Sequence, residues 1–145
     1  MTRPNDLSAT EARKLIGNKQ LSPLELTKSC IEQVERYNPS INAVVAINNE
    51  DVLKEAKKAE DEVMAGKELG LLHGLPVGIK DLNPVKDLRS TSGSKLFENR
   101  IPDYDDSVVA DIRAEGGIVF CKTNTPEFGA GANTKNKVYG ATCNP

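Results

Sequence analysis

The strongest constraint on the fold is a helix-to-strand unit in the second half of the chain. Residues 106–115 have the apolar spacing of a helix, Gly116-Gly117 predicts a tight turn, and residues 118–121 form a short apolar strand. The apolar face of the predicted helix carries Val108, Val109 and Ile112. A helix, a tight turn and a strand in this order are typical of a crossover between neighbouring strands, so the unit predicts an α/β fold with parallel pairing.

A second apolar run, residues 74–81 (GLPVGIKD), predicts a short buried strand that ends at Lys80. A lysine at a buried strand end must either reach water or be used by the protein. Burial disfavours the ammonium form, and a neutral amine is a competent base. Lys80 is therefore a candidate catalytic residue, and the alternative is that it ends an ordinary strand and extends to solvent.

The first half predicts three helices and one strand. The helices cover residues 8–17, 22–38 and 49–65, and the strand covers residues 41–47. Ser8 with Glu11 and Ser22 with Glu25 have the spacing of capping boxes, and Pro23 suits a first helical position. The pair Asn38-Pro39 predicts the end of the second helix, and Gly66 the end of the third.

The remaining segments predict loops. Residues 82–101 show no clear period, and their small-residue cluster Ser90-Thr91-Ser92-Gly93-Ser94 suits a loop in close backbone contact with another segment. A helix is predicted to start at Thr125 with Pro126 at its first position. No periodic pattern follows Gly131.

Composition excludes several classes of function. The 145 residues suffice for one domain, and 38% hydrophobic with 28% charged residues is typical of a soluble globular protein. A net charge of −2 gives no electrostatic reason to expect nucleic acid. Three cysteines without a CxxC spacing disfavour a disulfide framework or a zinc site, and they favour the cytoplasm. The polar N-terminus predicts no signal peptide, and no run predicts a membrane span.

Common catalytic and binding motifs do not fit. Gly74, Gly78 and Lys80 lack the spacing of a phosphate-binding loop, and His73, the only histidine, has no GxSxG serine as partner. His73 is interpreted as a loop histidine bonded to backbone, and Cys121 as a small apolar core residue. The 90–94 cluster could bind an anion only weakly, since Arg89 and Lys95 are its only basic neighbours. Asp105-Asp106 is interpreted as a helix cap with a first-turn charge.

Taken in order, four segments resemble the amidase signature family: HGLPVGIKD, STSGS, DSVVADIRAEGGIVFCKTNTPEFG and NKVYGATCNP. The LSPLEL helix start and the INAVVAI strand are also similar to that family. The resemblance implies a hydrolase of linear amides that uses a Ser–cis-Ser–Lys triad, with a small-molecule amide as substrate and no cofactor or metal. Lys80 matches the catalytic lysine, and Gly129, Ala130 and Gly131 match a wall of the substrate pocket.

The implied fold is α/β: N-terminal helices plus part of a mixed, largely parallel amidase-signature sheet, truncated before the sheet is complete. Residues 1–145 then form a partial amidase domain, with a helical region with one strand at 1–68 and the start of the catalytic core at 69–145. The family's two serines and its oxyanion-hole donors follow the NP segment, where this chain ends at Pro145. None of Ser90, Ser92, Ser94 or Ser107 stands in a matching context, so the chain alone is expected to be inactive. Two smaller departures are STSGS, which replaces two threonines and an aromatic, and Lys137, which replaces a proline.

Three interpretations remain open. The chain is the N-terminal part of an amidase, or a piece of the A subunit of a glutamine-dependent aminoacyl-tRNA amidotransferase, or a non-catalytic α/β binding module derived from such an enzyme. Under the first interpretation, unpaired strand edges and an uncovered apolar face predict self-association of the isolated chain.

Overall fold

The computed structural model describes residues 3–145 and contains four α-helices and two small sheets. The helices are α1 (Ala9–Gly17), α2 (Pro23–Ile41), α3 (Asn49–Met64) and α4 (Ser107–Ala114). The strands are β1 (Val44–Ala46), β2 (Pro76–Lys80), β3 (Ile118–Thr123), β4 (Lys135–Asn136) and β5 (Gly140–Ala141). Short 3-10 turns cover Pro4–Asp6, Lys95–Phe97 and Glu127–Gly129.

The predicted starts of α1 and α2 are confirmed, and their caps explain them. Ser8 Oγ accepts from the Glu11 N–H at 3.3 Å, and the Glu11 carboxylate accepts from the Ser8 N–H at 3.0 Å, which completes a capping box. Ser22 Oγ accepts from the N–H groups of Leu24 and Glu25. The Ser22 hydroxyl donates to Glu60 of α3, which ties the start of α2 to α3. In the described residues no Ser22 N–H to Glu25 bond completes a second capping box.

The predicted end of α2 at Asn38-Pro39 is wrong, because the helix continues to Ile41. The missing N–H of Pro39 removes one helical hydrogen bond near the end, where the lost bond is least costly. The Asn38 side chain also ties the chain that follows the helix to its last turn, since Asn38 Oδ1 accepts from the Ala43 and Val44 N–H groups at 2.9 and 2.8 Å. Asn42 then ends the helix in the left-handed conformation, with φ 55°. The longer helix shortens the predicted strand at 41–47 to β1.

The main sheet has the order β1-β3-β2. β2 runs parallel to β3 and is connected to it through α4, which confirms the predicted crossover unit. β1 is antiparallel to β3, so the sheet is mixed, as expected. β3 is the central strand, and it is buried from Ile118 to Lys122.

Helices pack on both faces of this sheet. On the α2/α3 face, a core cluster joins both helices to β3: Ile31, Val52, Ala56, Ala59, Ile118, Phe120 and Cys121. On the α4 face, a second cluster contains Ile79, Val85, Val109 and Val119. A third cluster seats α1 beside the start of β2: Ala12, Ile16, Leu21, Leu26, Val63 and Leu75. Within residues 3–145, none of the helices combines the length and apolar character that a bilayer crossing requires.

Several local predictions are also confirmed. His73 is buried, and its Nε2–H donates to the Ala59 carbonyl at 3.0 Å. Cys121 packs in the core, and burial raises the pKa of its thiol to about 12. Asp106 caps α4 through the Val108 N–H, whereas Asp105 binds Arg113 at 3.0 Å instead of serving the first turn.

The C-terminal segment differs from prediction. The helix expected at Thr125 is only the 3-10 turn Glu127–Gly129, because Phe128 takes a left-handed φ of 52° that interrupts helical geometry. Beyond Gly131, β4 and β5 form a hairpin that the sequence did not indicate. Two-residue strands are too short to show a period of two.

Candidate active site

Lys80 is the last residue of β2, and the structure places its side chain in solvent. The expected burial at this strand end is therefore wrong, and the side chain reaches solvent as the alternative interpretation of Lys80 expected. β2 lies at the edge of the sheet, and the α2/α3 cluster covers β3 without including any β2 residue. Gly78 lies on the same face as Lys80, because residues two apart in a strand point the same way, and it is also exposed. In the described part of the chain, the Lys80 amine has no ion-pair or hydrogen-bond partner.

Asp81 follows Lys80 and is directed to the opposite face of the sheet, where it is fully buried. Its carboxylate accepts from the Thr91 N–H at 3.0 and 3.2 Å and from the Thr91 hydroxyl at 2.6 Å. The N–H of Asp81 donates to the Thr123 carbonyl at 2.9 Å, which extends the β2–β3 ladder by one residue. Asp81 therefore fixes the chain directly after Lys80.

Lys122 of β3 is the residue that the sequence analysis missed. Its side chain is 0% exposed, and its Nζ lies 3.5 Å from Oδ1 of Asp81. The same ammonium donates to Ser90 Oγ at 3.0 Å and to the Asn83 carbonyl. Burial lowers the pKa of Lys122 from its ordinary value, and the Asp81 carboxylate opposes that shift. A sequence signal was available, because Lys122 directly follows the apolar run 118–121, much as Lys80 follows an apolar run in β2.

The 90–94 loop packs against this ion pair and is largely buried, which confirms the predicted close backbone contact. A Cβ added to Gly93 would lie 3.1 Å from the Thr125 carbonyl oxygen. Four N–H groups of the loop donate inside the protein, those of Ser90, Thr91, Gly93 and Ser94. Because these N–H groups already have acceptors inside the protein, they are not free to bind an anion at the 90–94 loop.

The 127–131 loop lies beside the 90–94 loop. The Phe128 N–H donates to the Ser92 carbonyl at 2.8 Å, and Ser94 Oγ donates to Glu127 at 2.8 Å. Gly129 has φ 72°, and a Cβ there would lie 2.8 Å from Cδ1 of Leu82. The structure thus brings Gly129 close to the segment after Lys80, while Ala130 and Gly131 are exposed at the surface.

An exposed aromatic pair borders these loops. The rings of Phe97 and Phe128 meet edge to face at 6.2 Å, and the Arg100 guanidinium lies 4.6 Å from the Phe97 centroid. Leu96 and Phe128 remain 81% and 52% exposed. Apolar side chains are thus exposed beside the paired rings.

Three asparagines hold the C-terminal hairpin. Asn136 is buried, and its Nδ2 donates to Asn124 Oδ1 at 2.7 Å and to the Thr125 carbonyl at 2.8 Å. Asn42 Nδ2 donates to the carbonyls of Tyr139 and Ala141. These bonds fix the course of the segment that leads to Pro145.

The arrangement supplies a free amine but no nucleophile beside it. Within residues 3–145, no serine hydroxyl contacts Lys80; Ser90 and Ser94 are buried and bonded elsewhere. His73 binds a backbone carbonyl of α3 and has no catalytic partner in the described residues. The same residues contain no group of three or more His, Cys, Asp or Glu placed to hold a metal ion.

Comparisons with known proteins point to one family. The family model Amidase matches residues 25–145. An acylamidase of Rhodococcus erythropolis is 42% identical over 139 residues, which cover 96% of this chain and 29% of the relative. The A subunit of the glutamyl-tRNA(Gln) amidotransferase of Clostridium botulinum is 37% identical over 137 residues, covering 94% of this chain and 28% of the relative.

A solved structure shares the fold. A bacterial aryl acylamidase of the amidase signature enzymes superposes with a TM-score of 0.87 at 30% identity, covering 95% of this chain and 29% of that one. The chain thus spans less than a third of the length of these relatives. Because the family model covers most of the chain, the chain belongs to the amidase signature family.

Proposed function

We propose that this chain is the N-terminal part of an amidase that hydrolyses the carbon–nitrogen bond of a small linear amide. The observation that carries the proposal is the position of Lys80. It ends a strand of an amidase-signature fold, on an uncovered face, with its amine unpaired in the described residues. The chain covers 29% of the acylamidase of Rhodococcus erythropolis, which leaves room for the rest of an active site.

In the proposed mechanism, Lys80 is the general base. Its neutral amine takes a proton from a serine in a cis peptide, which relays the proton from the nucleophilic serine as that serine attacks the amide carbonyl. The same groups then return a proton to the leaving amine. A serine hydroxyl is a weak nucleophile until a positioned base activates it, so the assignment is chemically consistent.

The exposed state of Lys80 supports the idea that a further segment covers it. A lysine works as a base only where its surroundings disfavour the ammonium form, and solvent does not. We propose that the two serines lie on a segment that follows the NP sequence and packs over Gly78 and Lys80. The 145-residue chain alone would then be inactive, because the two catalytic serines and the oxyanion-hole donors would be supplied by that further segment.

The loops beside Lys80 suit one wall of the substrate site. We propose that Gly129, Ala130 and Gly131 line that wall, since a Cβ added to Gly129 would lie 2.8 Å from Cδ1 of Leu82, two residues after Lys80. The free state of the cysteines, including exposed Cys143, supports a reducing compartment such as the cytoplasm.

A second candidate is the A subunit of a glutamine-dependent amidotransferase, which the 37% identity to the Clostridium botulinum relative favours. That protein would release ammonia from glutamine and would depend on other subunits.

Two measurements test the proposal. The intact mass of the natural protein should lie well above 15.7 kDa, because the serines must be supplied beyond Pro145. That purified protein should release amine from a panel of small carboxamides. Glutamine cleavage that requires further subunits would favour the second candidate. A natural species of 15.7 kDa that folds and cleaves no amide would overturn both and favour a non-catalytic binding module.

A further inference from the structure

We propose that Lys122 is a positioning residue that neutralises Asp81, so that the neighbouring Lys80 can lose its proton and act as a base. This inference rests on the proposed function. It assigns a role to a buried lysine that cannot itself touch a substrate.

Asp81 and Lys122 form a buried ion pair. Asp81 and Lys122 are each 0% exposed, and their charged atoms lie 3.5 Å apart. Asp81 also accepts the Thr91 N–H and hydroxyl, and Lys122 also donates to Ser90 and to the Asn83 carbonyl. Buried charges persist only where they are paired and hydrogen-bonded in this way.

The proposed role of Lys122 follows from the order Lys80-Asp81, because it places a carboxylate next to the proposed base. A lone carboxylate one residue from the base would favour the ammonium form, and low dielectric inside a protein would strengthen the effect. With Lys122 in place, the buried pair carries no net charge. Lys80 lies on the opposite face of the strand, so it does not compete for the carboxylate.

Other charged groups face the pair, and they carry both signs. Arg100, from the segment before α4, and Asp106, the N-cap of α4, both face Lys122 with opposite sign. On the side of the C-terminal hairpin, the Tyr139 ring lies near Asp81 and beneath the Arg89 guanidinium, 5.2 Å from its centroid. All of these groups stay unchanged in the variants below.

The test measures the Lys80 amine directly in the natural-length protein. Acetic anhydride is applied as a trace label at a series of pH values, and acetylation of the Lys80 peptide is read by mass spectrometry. The midpoint of labelling against pH should rise by about one unit or more in Lys122→Gln, where Asp81 keeps its charge, a size typical of one uncompensated charge. It should fall in Asp81→Asn, where Lys122 keeps its charge.

The double variant Asp81→Asn/Lys122→Gln should return the midpoint close to that of the wild type. A purely structural role for the pair would not move the two single variants in opposite directions. Near-UV circular dichroism establishes which variants fold. If Lys122→Gln does not fold, Asp81→Asn, which keeps the size of the side chain, decides the sign of the shift alone.

Midpoints that coincide in the wild type and the single variants would overturn the proposal, as would shifts of the same sign. Labelling does not depend on hydrolysis, so the two proposals fail separately. If the midpoints shift as expected but the protein cleaves no amide, the role of Lys122 stands and only the proposed function is contradicted.

Discussion

The Asp81 carboxylate and the Lys122 ammonium lie 3.5 Å apart in the interior, and neither side chain is exposed. The pair links two neighbouring parallel strands: Asp81 directly follows Lys80 at the end of β2, and Lys122 lies within β3. Replacing both charges with apolar groups is often tolerated in proteins, whereas removing one partner leaves the other charge buried and unpaired.

Lys122→Met should therefore lower the free energy of unfolding by about 3–5 kcal/mol. The double variant Asp81→Asn/Lys122→Met should be more stable than Lys122→Met alone. Urea denaturation measures both. Lys95→Met is the matched control, because Lys95 makes a short but exposed pair with Glu98 at 2.7 Å and should have no measurable effect. Equal stability of Lys122→Met and Lys95→Met would contradict the importance of the buried pair.

Thr27 is fully buried in α2, and its hydroxyl has no hydrogen-bond partner within residues 3–145. Thr27→Val replaces this hydroxyl with a methyl group of similar shape and should stabilise the protein by about 1 kcal/mol, since an unsatisfied buried group carries a desolvation cost. Thr91→Val is the control, because the Thr91 hydroxyl donates to Asp81 at 2.6 Å. In thermal unfolding, the Tm of Thr27→Val should rise above that of the wild type and the Tm of Thr91→Val should fall below it. A lower Tm for Thr27→Val would contradict the claim that the unpaired Thr27 hydroxyl destabilises the protein.

Cys121 predicts a loss of stability at alkaline pH. Burial raises the pKa of its thiol from 9.0 to about 12, so the folded state holds a proton that the unfolded state releases. The contribution of this raised pKa to the free energy of unfolding is complete below pH 9. It is lost between pH 9 and about 12, at up to ~1.4 kcal/mol per pH unit. Unfolding of wild type and Cys121→Ala at several pH values isolates this slope. A difference between them that does not change with pH would refute it.

The isolated 145-residue chain should self-associate. β2 lies at an edge of the sheet, and Leu96 and Phe128 are exposed apolar side chains. Sedimentation velocity should show oligomers that grow with concentration, and Phe128→Glu should reduce them. Leu71→Glu, at an exposed position outside this surface, is the control. A monomer that unfolds cooperatively would instead favour a non-catalytic binding module.

Local chemistry made much of the fold predictable. Ser8, Ser22 and Asp106 marked helix starts because their side chains satisfy N–H groups that a helix cannot. The crossover through α4 followed from a helix, a glycine turn and a strand. The extension of α2 past Pro39 was not predictable, because no helix or turn pattern signals that the Asn38 side chain accepts from the chain five and six residues later.

The site was predicted only in part. Lys80 was found because a lysine is unusual at the end of an apolar run, but its exposure depends on which face the helices cover. Lys122 carried the same signal and was overlooked, because its partner Asp81 is distant in sequence and meets it only through strand pairing. The Phe97–Phe128 contact likewise joins segments that no local pattern relates.

Lys80→Ala in the natural-length protein tests the central claim most directly. Loss of a positioned general base should lower kcat/KM for a cleaved carboxamide by about 10²–10⁴-fold, while circular dichroism shows an unchanged fold. Lys86→Ala is the matched control, since Lys86 is another exposed lysine six residues away and should keep wild-type activity. If Lys80→Ala keeps activity within a few-fold of the wild type, Lys80 is not the base and the proposed mechanism is wrong.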